Sequence, residues 1–230
     1  LSFHLSESPA DAALATPVAL WGIDARVAEW LQARGVTCES WTPGQAQPVI
    51  LVGNPPEDQS DDSHWTALWE EVSRGAAAVF LTPQAFKKSD DALARFPLAN
   101  KGRIYDFPDW LYHKECVAKP HPIFAGLQPK GVMDWDYYGP VISHLFLEGA
   151  DLPEEIVAAA FALCHSAPPG GYAAGVMIGV YPHGKGRFIL NTFNVPGNID
   201  AHPAADRLLL NLLRYAGEHV AAAGAAEARS

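Results

Sequence analysis

Two runs of consecutive apolar residues, at positions 48–53 (PVILVG) and 76–81 (AAAVFL), constrain the fold more than any other feature of this sequence. A strand without polar residues is buried on both faces, which is typical of parallel sheets covered by helices. Strand, helix and strand in this order predict α/β layering with right-handed crossovers. The helix between the two runs is indicated by apolar residues at helical spacing, namely Trp65, Leu68, Trp69 and Val72.

The flanking segments extend this pattern. Residues 17–22 and 36–41 are two further strand candidates, and a helical stripe over residues 23–34 separates them. Residues 172–181 and 186–193 predict an antiparallel hairpin joined by a Pro-His-Gly-Lys turn. We therefore predict an α/β fold with a flavodoxin-like or Rossmann-like, mainly parallel sheet between helices. The hairpin is added near the C-terminus.

The other segments are less regular. Aromatic residues and prolines are frequent in residues 103–150, where we expect long ordered loops around short strands. Residues 154–163 fit either a strand or a short helix, and residues 203–220 predict a helix whose Leu-rich face packs on the sheet. The predicted domain organisation is a lead-in segment over residues 1–16, one α/β domain over residues 17–220, and a frayed tail over residues 221–230.

Charge and cysteine content exclude several classes of protein. With 26 acidic and 16 basic residues the formal net charge is −10, which gives no electrostatic footprint for nucleic acid. No run of about 18 apolar residues is present, so we predict no transmembrane helix and a soluble protein. Cys38, Cys116 and Cys164 form no CxxC motif. A single disulfide bond between two of them is not excluded by the sequence. The sequence begins at Leu1 without Met, and a periplasmic or secreted protein that has lost its signal peptide is one alternative for the compartment.

Three segments together carry a family resemblance: GAAAVFLTPQAF, YPHGKGRFILNTFNV and HPAADRLLLNLLRYA. They resemble the class I glutamine amidotransferase-like fold over roughly residues 17–217. The resemblance is closer to the degenerate version of that fold in the trimerisation and C-terminal domains of β-galactosidase-type glycoside hydrolases. The sequence is also similar to ThuA-like proteins of sugar utilisation. The resemblance implies that residues 17–220 are one amidotransferase-like domain.

In active members of the resembled family, a cysteine on a tight strand-to-helix turn is activated by a histidine near the C-terminus. The matching turn here holds Thr82, Pro83 and Gln84, without a cysteine, and Pro83 removes a backbone N–H from the loop that would bind an oxyanion. His202 and Pro203 resemble the family's His-Pro pair, but an alanine follows instead of an acidic residue. The turn is therefore a degenerate elbow, and we predict no catalytic residue.

Aromatic and acidic residues alternate in two segments that we expect to be loops. Sugar sites combine flat aromatic faces with carboxylates that accept hydrogen bonds from hydroxyl groups. The alternative is that the aromatic residues pack on the sheet and the aspartates cap turns. The candidate ligand-binding residues are Trp110, Tyr112, His113, Asp134, Trp135, Asp136 and Tyr138.

A histidine–acid string is the only hint of metal binding. His113, Glu115 and His121 follow an H-x-E-x5-H spacing, which matches no tight metal motif and fits a solvated loop. We therefore predict no metal and no cofactor.

These observations favour a non-catalytic amidotransferase-like accessory domain of a carbohydrate-active protein, which helps assembly or shapes a sugar site. Its expected partners are other domains or chains of that protein, with a homo-oligomer and a sugar ligand as further candidates; a glycoside hydrolase is one candidate parent. The alternatives are a stand-alone sugar-utilisation enzyme of ThuA-like type that uses the loops at residues 109–138, and a sensor of a sugar or small ligand. No nucleic acid or membrane is expected.

We predict that the isolated chain does not hydrolyse glutamine, because the elbow lacks a cysteine nucleophile. Ammonia release from glutamine, measured in a coupled assay, should not exceed the background. Steady release that survives both Cys116→Ala and Thr82→Ala would contradict the assignment of the elbow to Thr82.

Overall fold

The computed structural model describes residues 14–57, 61–86, 95–106, 113–127, 131–166 and 169–227. Within these ranges the chain forms one mixed sheet of eleven strands together with four α-helices. None of these helices is both long and apolar enough to cross a membrane. The helices are α1 (Ala25–Ala33), α2 (Asp62–Arg74), α3 (Trp135–Tyr138) and α4 (Pro203–Glu227).

The first part of the sheet is parallel. Its strands follow the order β2-β1-β3-β4, and each neighbouring pair is parallel. Strands β3 and β4 are the two apolar runs, and every residue in them is buried, as expected for strands covered on both faces. The four strands are β1 (Val18–Trp21), β2 (Cys38–Ser40), β3 (Val49–Val52) and β4 (Ala77–Phe80).

The predicted hairpin is present and joins the parallel strands to the rest of the sheet. Strand β10 (Pro169–His183) pairs antiparallel with β11 (Gly186–Asn191), and β11 pairs parallel with β4. Close packing requires the glycines at the turn. Gly184 has φ +61°, and a Cβ on Gly186 would lie 2.1 Å from the carbonyl oxygen of Ala76.

Most strand pairings are antiparallel, so the prediction of a mainly parallel, flavodoxin-like or Rossmann-like sheet is wrong. Beyond β10 the sheet continues as β9-β6-β7, and β8 pairs with both β10 and β5; all these pairs are antiparallel. These strands are β5 (Lys101–Asp106), β6 (His113–Ala118), β7 (Gly131–Val132), β8 (Leu145–Ala150) and β9 (Glu155–Ser166).

The error has a physical reason. Four of these strands, β5 to β8, come from the segment in which we expected mostly loops, and β9 covers the residues that fitted either a strand or a helix. Ala158, Ala159, Ala160 and Ala162 occupy both faces of β9, so polar and apolar residues do not alternate along it. Of its two partners, β10 follows it directly in the sequence, whereas β6 is distant, and the long-range pairing with β6 leaves no local pattern.

Helix α4 packs on one face of the sheet, as predicted, and contacts β3 and β4. The helix continues to Glu227, past the predicted end at residue 220. Burial of its apolar face holds the helix on the sheet. The leucines of this face are each at most 1% exposed, namely Leu208, Leu209, Leu212 and Leu213.

Alternate residues of the central strands face two different helical layers. Val49 and Leu51 of β3 pack with the apolar residues of α1 and α4, whereas Ile50 and Val52 pack with those of α2. The parallel strands are therefore covered on both faces. Side chains of this part of the sheet can therefore contact a ligand only at the ends of the strands.

Candidate functional site

A cleft of about 730 Å³ lies at the carboxyl ends of β4 and β11. The two ends meet at the same edge because the strands pair in parallel. The cleft is lined by the segments that follow β4 and β11, by the end of β5, and by the chain between α3 and the start of β8. In open α/β sheets, ligands bind in crevices at this edge. The cleft is therefore the candidate site.

The segment after β4 forms one wall of the cleft. Thr82 and Pro83 line it, with Thr82 partly exposed and Pro83 buried. A short 3-10 helix, Pro83–Phe86, follows and includes Gln84. The degenerate elbow predicted from the sequence thus lies at the cleft.

The buried amide of Asn191 ties this wall to the segment after β11. Its Nδ2 donates to the carbonyl oxygens of Leu81 at 2.8 Å and Phe193 at 3.2 Å, and its Oδ1 accepts from the N–H of Phe193 at 3.2 Å. The side chain is fully buried. One amide therefore fixes the ends of β4 and β11 relative to each other.

Thr192, the next residue, also lines the cleft but is bonded differently. Its backbone N–H donates to the carbonyl oxygen of Met177 at 2.9 Å, and the residue is 1% exposed. Its Oγ1 has no hydrogen-bond partner within the described part of the chain. Leaving a buried hydroxyl unpaired costs about 1–3 kcal/mol, so such groups call for an explanation.

Helix α3 brings one predicted aromatic residue to the cleft. Trp135 lines it with 39% of its surface exposed. Asp134 caps the helix, because its Oδ1 accepts from the N–H of Asp136 at 2.8 Å, and both aspartates are exposed. Tyr138 is fully buried and packs against Phe124 in the core. Of these four candidates, only Trp135 lines the cleft.

For the other loop candidates, the described part of the chain gives only the backbone position of His113. Trp110 and Tyr112 lie outside the described residues, and His113 is the first residue of β6. The structure thus groups Thr82, Pro83 and Trp135. That the remaining candidates gather at this edge stays a prediction.

Several polar residues of the cleft were not predicted from the sequence. Asp106 ends β5, His144 directly precedes β8, and Asn194 lies beyond β11; all three are exposed. Ser143 lines the cleft as well, and its Oγ accepts from the N–H of Leu145 at 3.1 Å. These residues come from distant segments, so no spacing indicates them. The only local signal was the Asn-Thr-Phe-Asn sequence directly after an apolar strand.

His121, from the histidine–acid string, belongs to a polar cluster outside the cleft. Its Nδ1 accepts from the N–H of Ile123 at 3.2 Å, so Nε2 carries the proton and donates to Glu155 at 2.8 Å. Glu155 also accepts from Tyr215 at 2.6 Å and Arg187 at 3.3 Å. Burial opposes ionisation of Glu155, but the bonds from Tyr215 and His121 outweigh it and lower its pKa. The described residues contain no cluster that could hold a metal ion.

His202, which resembles the histidine of the family's His-Pro pair, and Cys116 both lie outside the cleft. His202 is a residue of the α4 N-terminus whose Nδ1 accepts from the N–H of Ala204 at 3.2 Å, and burial lowers its pKa. Cys116 is fully buried in the core. Neither lines the cleft.

Comparisons with known proteins give a fold and no family. The sequence matches no protein-family model, and no curated protein matches it. A cytoplasmic protein from Salmonella typhimurium is similar in structure, with a TM-score of 0.53 and 11% identity over 87% of this chain and 98% of that chain. At this identity the likeness concerns the fold alone.

A part of the cold-adapted β-galactosidase from a Rahnella species also matches. Its TM-score is 0.37 at 13% identity, and the match covers 72% of this chain and 23% of that chain. A score this low does not establish a common fold. The resemblance to amidotransferase-like domains therefore rests on the sequence segments alone.

We predict that Asn191→Asp destabilises the protein by about 3–5 kcal/mol at pH 7, because it places an unpaired charge between two carbonyl oxygens. Burial should raise the pKa of the new carboxyl above its value in the unfolded chain. The native state then binds more protons, so the loss should shrink as the pH falls from 7 to 4. Urea unfolding of both proteins at both pH values measures this difference.

The matched control is Asn194→Asp, since Asn194 is exposed. Its effect should stay within about 0.5 kcal/mol at both pH values. Equal effects of the two substitutions would show that the Asn191 amide does not hold the strand ends together.

Proposed function

We propose that this chain is a non-catalytic, amidotransferase-like accessory domain of a carbohydrate-active protein, and that it binds a sugar in the cleft. The observation that supports this proposal most is that the partly exposed ring of Trp135 shares the cleft at the carboxyl ends of β4 and β11 with hydroxyl and amide side chains. The sequence resemblance adds the carbohydrate context.

The lining suits the two faces of a sugar ring. An exposed indole gives a flat apolar surface for the sugar's C–H groups. Ser143, Asn194 and Asp106 offer hydroxyl, amide and carboxylate groups for its hydroxyls. A volume of about 730 Å³ lies in the range of small-molecule sites.

The proposal of a non-catalytic role rests on the elbow. Thr82 and Pro83 occupy the position after β4 at which the resembled family has its nucleophile. Cys116, which has basic neighbours in the sequence, is buried in the core. A threonine hydroxyl is a weak nucleophile unless a base is positioned to activate it.

The proposed partners are other domains or chains of the carbohydrate-active protein, or further copies of this chain. Residues 17–220 are proposed to be the domain that contacts these partners. Strands β9 and β10 expose Phe161 and Tyr172, at 36% and 81% of their surfaces. Residues 156–181 contain no Asp, Glu, Lys or Arg. Uncharged, exposed strand surfaces favour contact with another protein surface.

We predict that Trp135→Ala weakens sugar binding by about 1–3 kcal/mol, or roughly 5-fold to 150-fold, because it removes the apolar face of the site. Isothermal titration with galactose, glucose and lactose identifies a binding sugar and then measures the loss. The matched control is Tyr172→Ala, which truncates an exposed aromatic residue outside the cleft and should leave the affinity unchanged.

The folded state of each variant is followed by thermal melting with circular dichroism. If Trp135→Ala unfolds the domain, Trp135 serves packing instead of binding. If the variant stays folded and binds the sugar as the wild type does, the sugar site lies elsewhere.

A stand-alone sugar-utilisation enzyme is the alternative, and one observation favours it. His144 lines the same cleft as Thr82, so an imidazole and a hydroxyl are present in one site. Histidine is the side chain that most often acts as a general base near neutral pH.

We expect no chemical change in any sugar that binds, when the mixture is followed by NMR over hours. Conversion by the wild type that is lost in His144→Ala while binding persists would establish the enzyme instead. The control is Thr66→Ala on the exposed side of α2, which should behave as the wild type does.

A further inference from the structure

We propose, building on the proposed sugar site, that Asn198 is a positioning residue of the cleft. Its buried amide joins the wall that carries Trp135 to the wall formed by the segment after β11, and so holds the indole at the distance that stacking on a sugar ring requires. Three features support this inference: the two hydrogen bonds of the amide, the fixed backbone of Asn198, and the short helix on which Trp135 lies.

Both hydrogen bonds of the Asn198 amide nitrogen go to residues that line the cleft. Its Nδ2 donates to the carbonyl oxygen of Pro140 at 3.2 Å and to that of Asn194 at 2.7 Å. Pro140 belongs to the wall between α3 and β8, and Asn194 belongs to the wall after β11. Asn198 itself is only 8% exposed and is not among the described residues that line the cleft. It therefore acts on the cleft through its neighbours and not by contact with a ligand.

The backbone of Asn198 gives this amide a firm base. Its N–H donates to the carbonyl oxygen of Val195 at 3.0 Å. Its carbonyl oxygen accepts from the N–H groups of Ala201 at 3.1 Å and His202 at 2.9 Å. His202 directly precedes α4, whose leucine face is buried against the sheet. The position of Asn198 is therefore fixed relative to the sheet, and its side chain passes this position on to the opposite segment.

The wall that carries Trp135 has little support from its own helix. Helix α3 has four residues, and a single helical turn is not stable by itself in water. Pro140, just beyond the helix, has no N–H, so its carbonyl oxygen is the backbone group through which it is held. The N–H of Asn194 donates to the carbonyl oxygen of Val141 at 2.9 Å and joins the same two walls. The Asn198 amide adds a connection one residue closer to Trp135.

Stacking on an aromatic ring is sensitive to small displacements. Carbon atoms attract each other best at about 3.5–4.0 Å, and a gap of about 0.5–1 Å already loses a quarter to a half of this attraction. A shift of the α3 wall by such a distance weakens the contact between a sugar ring and Trp135, although no lining side chain is removed. The contribution of Asn198 to sugar affinity therefore passes through the indole.

The first arm of the test follows Trp135 without any ligand. The seven tryptophans of the chain are labelled with 5-fluorotryptophan, and the ¹⁹F NMR signal of Trp135 is identified by its absence in Trp135→Phe. In Asn198→Ala this signal should shift or broaden, because the α3 wall has lost its connection to the segment after β11. The change at Trp135 should exceed the change at every other tryptophan.

The matched control is Asn211→Ala, which removes the same kind of amide bridge outside the cleft. The Nδ2 of Asn211 donates to the carbonyl oxygens of Ile123 at 3.0 Å and Ala125 at 2.9 Å, and the residue is 3% exposed. Both variants should lower the melting temperature, but Asn211→Ala should leave the Trp135 signal unchanged. Equal changes of this signal in both variants would show that a general loosening of the core moves the ring, and the inference would be wrong.

The second arm is a double-mutant cycle with a sugar that binds in the isothermal titration. Asn198→Ala should weaken binding by roughly twofold to tenfold, which is a part of the loss expected when the ring is removed. In the Trp135→Ala background the same substitution should leave the affinity unchanged, because the ring through which Asn198 acts is absent. An equal loss in both backgrounds would contradict a role that passes through Trp135.

The outcomes separate this inference from the proposed function. If a sugar binds and the Trp135 signal does not move in Asn198→Ala, the inference is wrong and the sugar site stands. If the wild type binds no sugar, the proposed function fails, whereas the first arm still decides whether Asn198 positions Trp135. If Asn198→Ala does not fold, Asn198→Ser takes its place in both arms and should change the Trp135 signal and the affinity in the same direction.

Discussion

Strand β11 pairs with a neighbouring strand on each of its two edges, and the rest of the structure depends on this constraint. This strand pairs parallel with β4 and antiparallel with β10, so it joins the two kinds of sheet into one. The approach of its hairpin to the end of α2 is so close that a side chain at Gly186 would collide with the backbone. At its other end, Asn191 bonds across to Leu81. The same strand therefore sets both the topology and the position of the cleft.

The parallel part of the fold was predictable because its signals are local. A strand such as β3, apolar at every position, can only be buried on both faces, and the Leu-rich face of α4 can only be buried on one side. Apart from the β10–β11 hairpin, the antiparallel part was not predictable in this way. Strand β9 places alanine on both faces, and its partners are β10, which follows it directly in the sequence, and β6, which is distant in sequence. No alternation of polar and apolar residues marks this strand, so its conformation depends on pairing with both neighbours.

The candidate site shows the same division. Thr82 was named because its turn matches the elbow of the resembled family, and Trp135 because aromatic and acidic residues alternate around it; both are local features of the sequence. His144, Asp106 and Thr192 were missed because they share the cleft only after three segments have been folded together. The two aspartates beside Trp135 show the limit of composition as a guide. Asp134 caps α3, so the mixture of aromatic and acidic residues that is typical of sugar sites can also arise from helix capping.

Two walls of the cleft are held in place by different numbers of backbone contacts, and this difference affects how substitutions should change ligand binding. Thr192 sits at the end of a central strand that is held on both sides by backbone hydrogen bonds. Trp135 sits on a four-residue helix that ends at Gly139, where φ is +43°. A wall of the cleft that is fixed by the sheet keeps its shape when a ligand enters, because the strand ends cannot adapt. An aromatic face on a short helix contributes area to any ring that enters. Substitutions at the strand ends should therefore change which ligand is bound, whereas substitutions on α3 should change how tightly all ligands are bound.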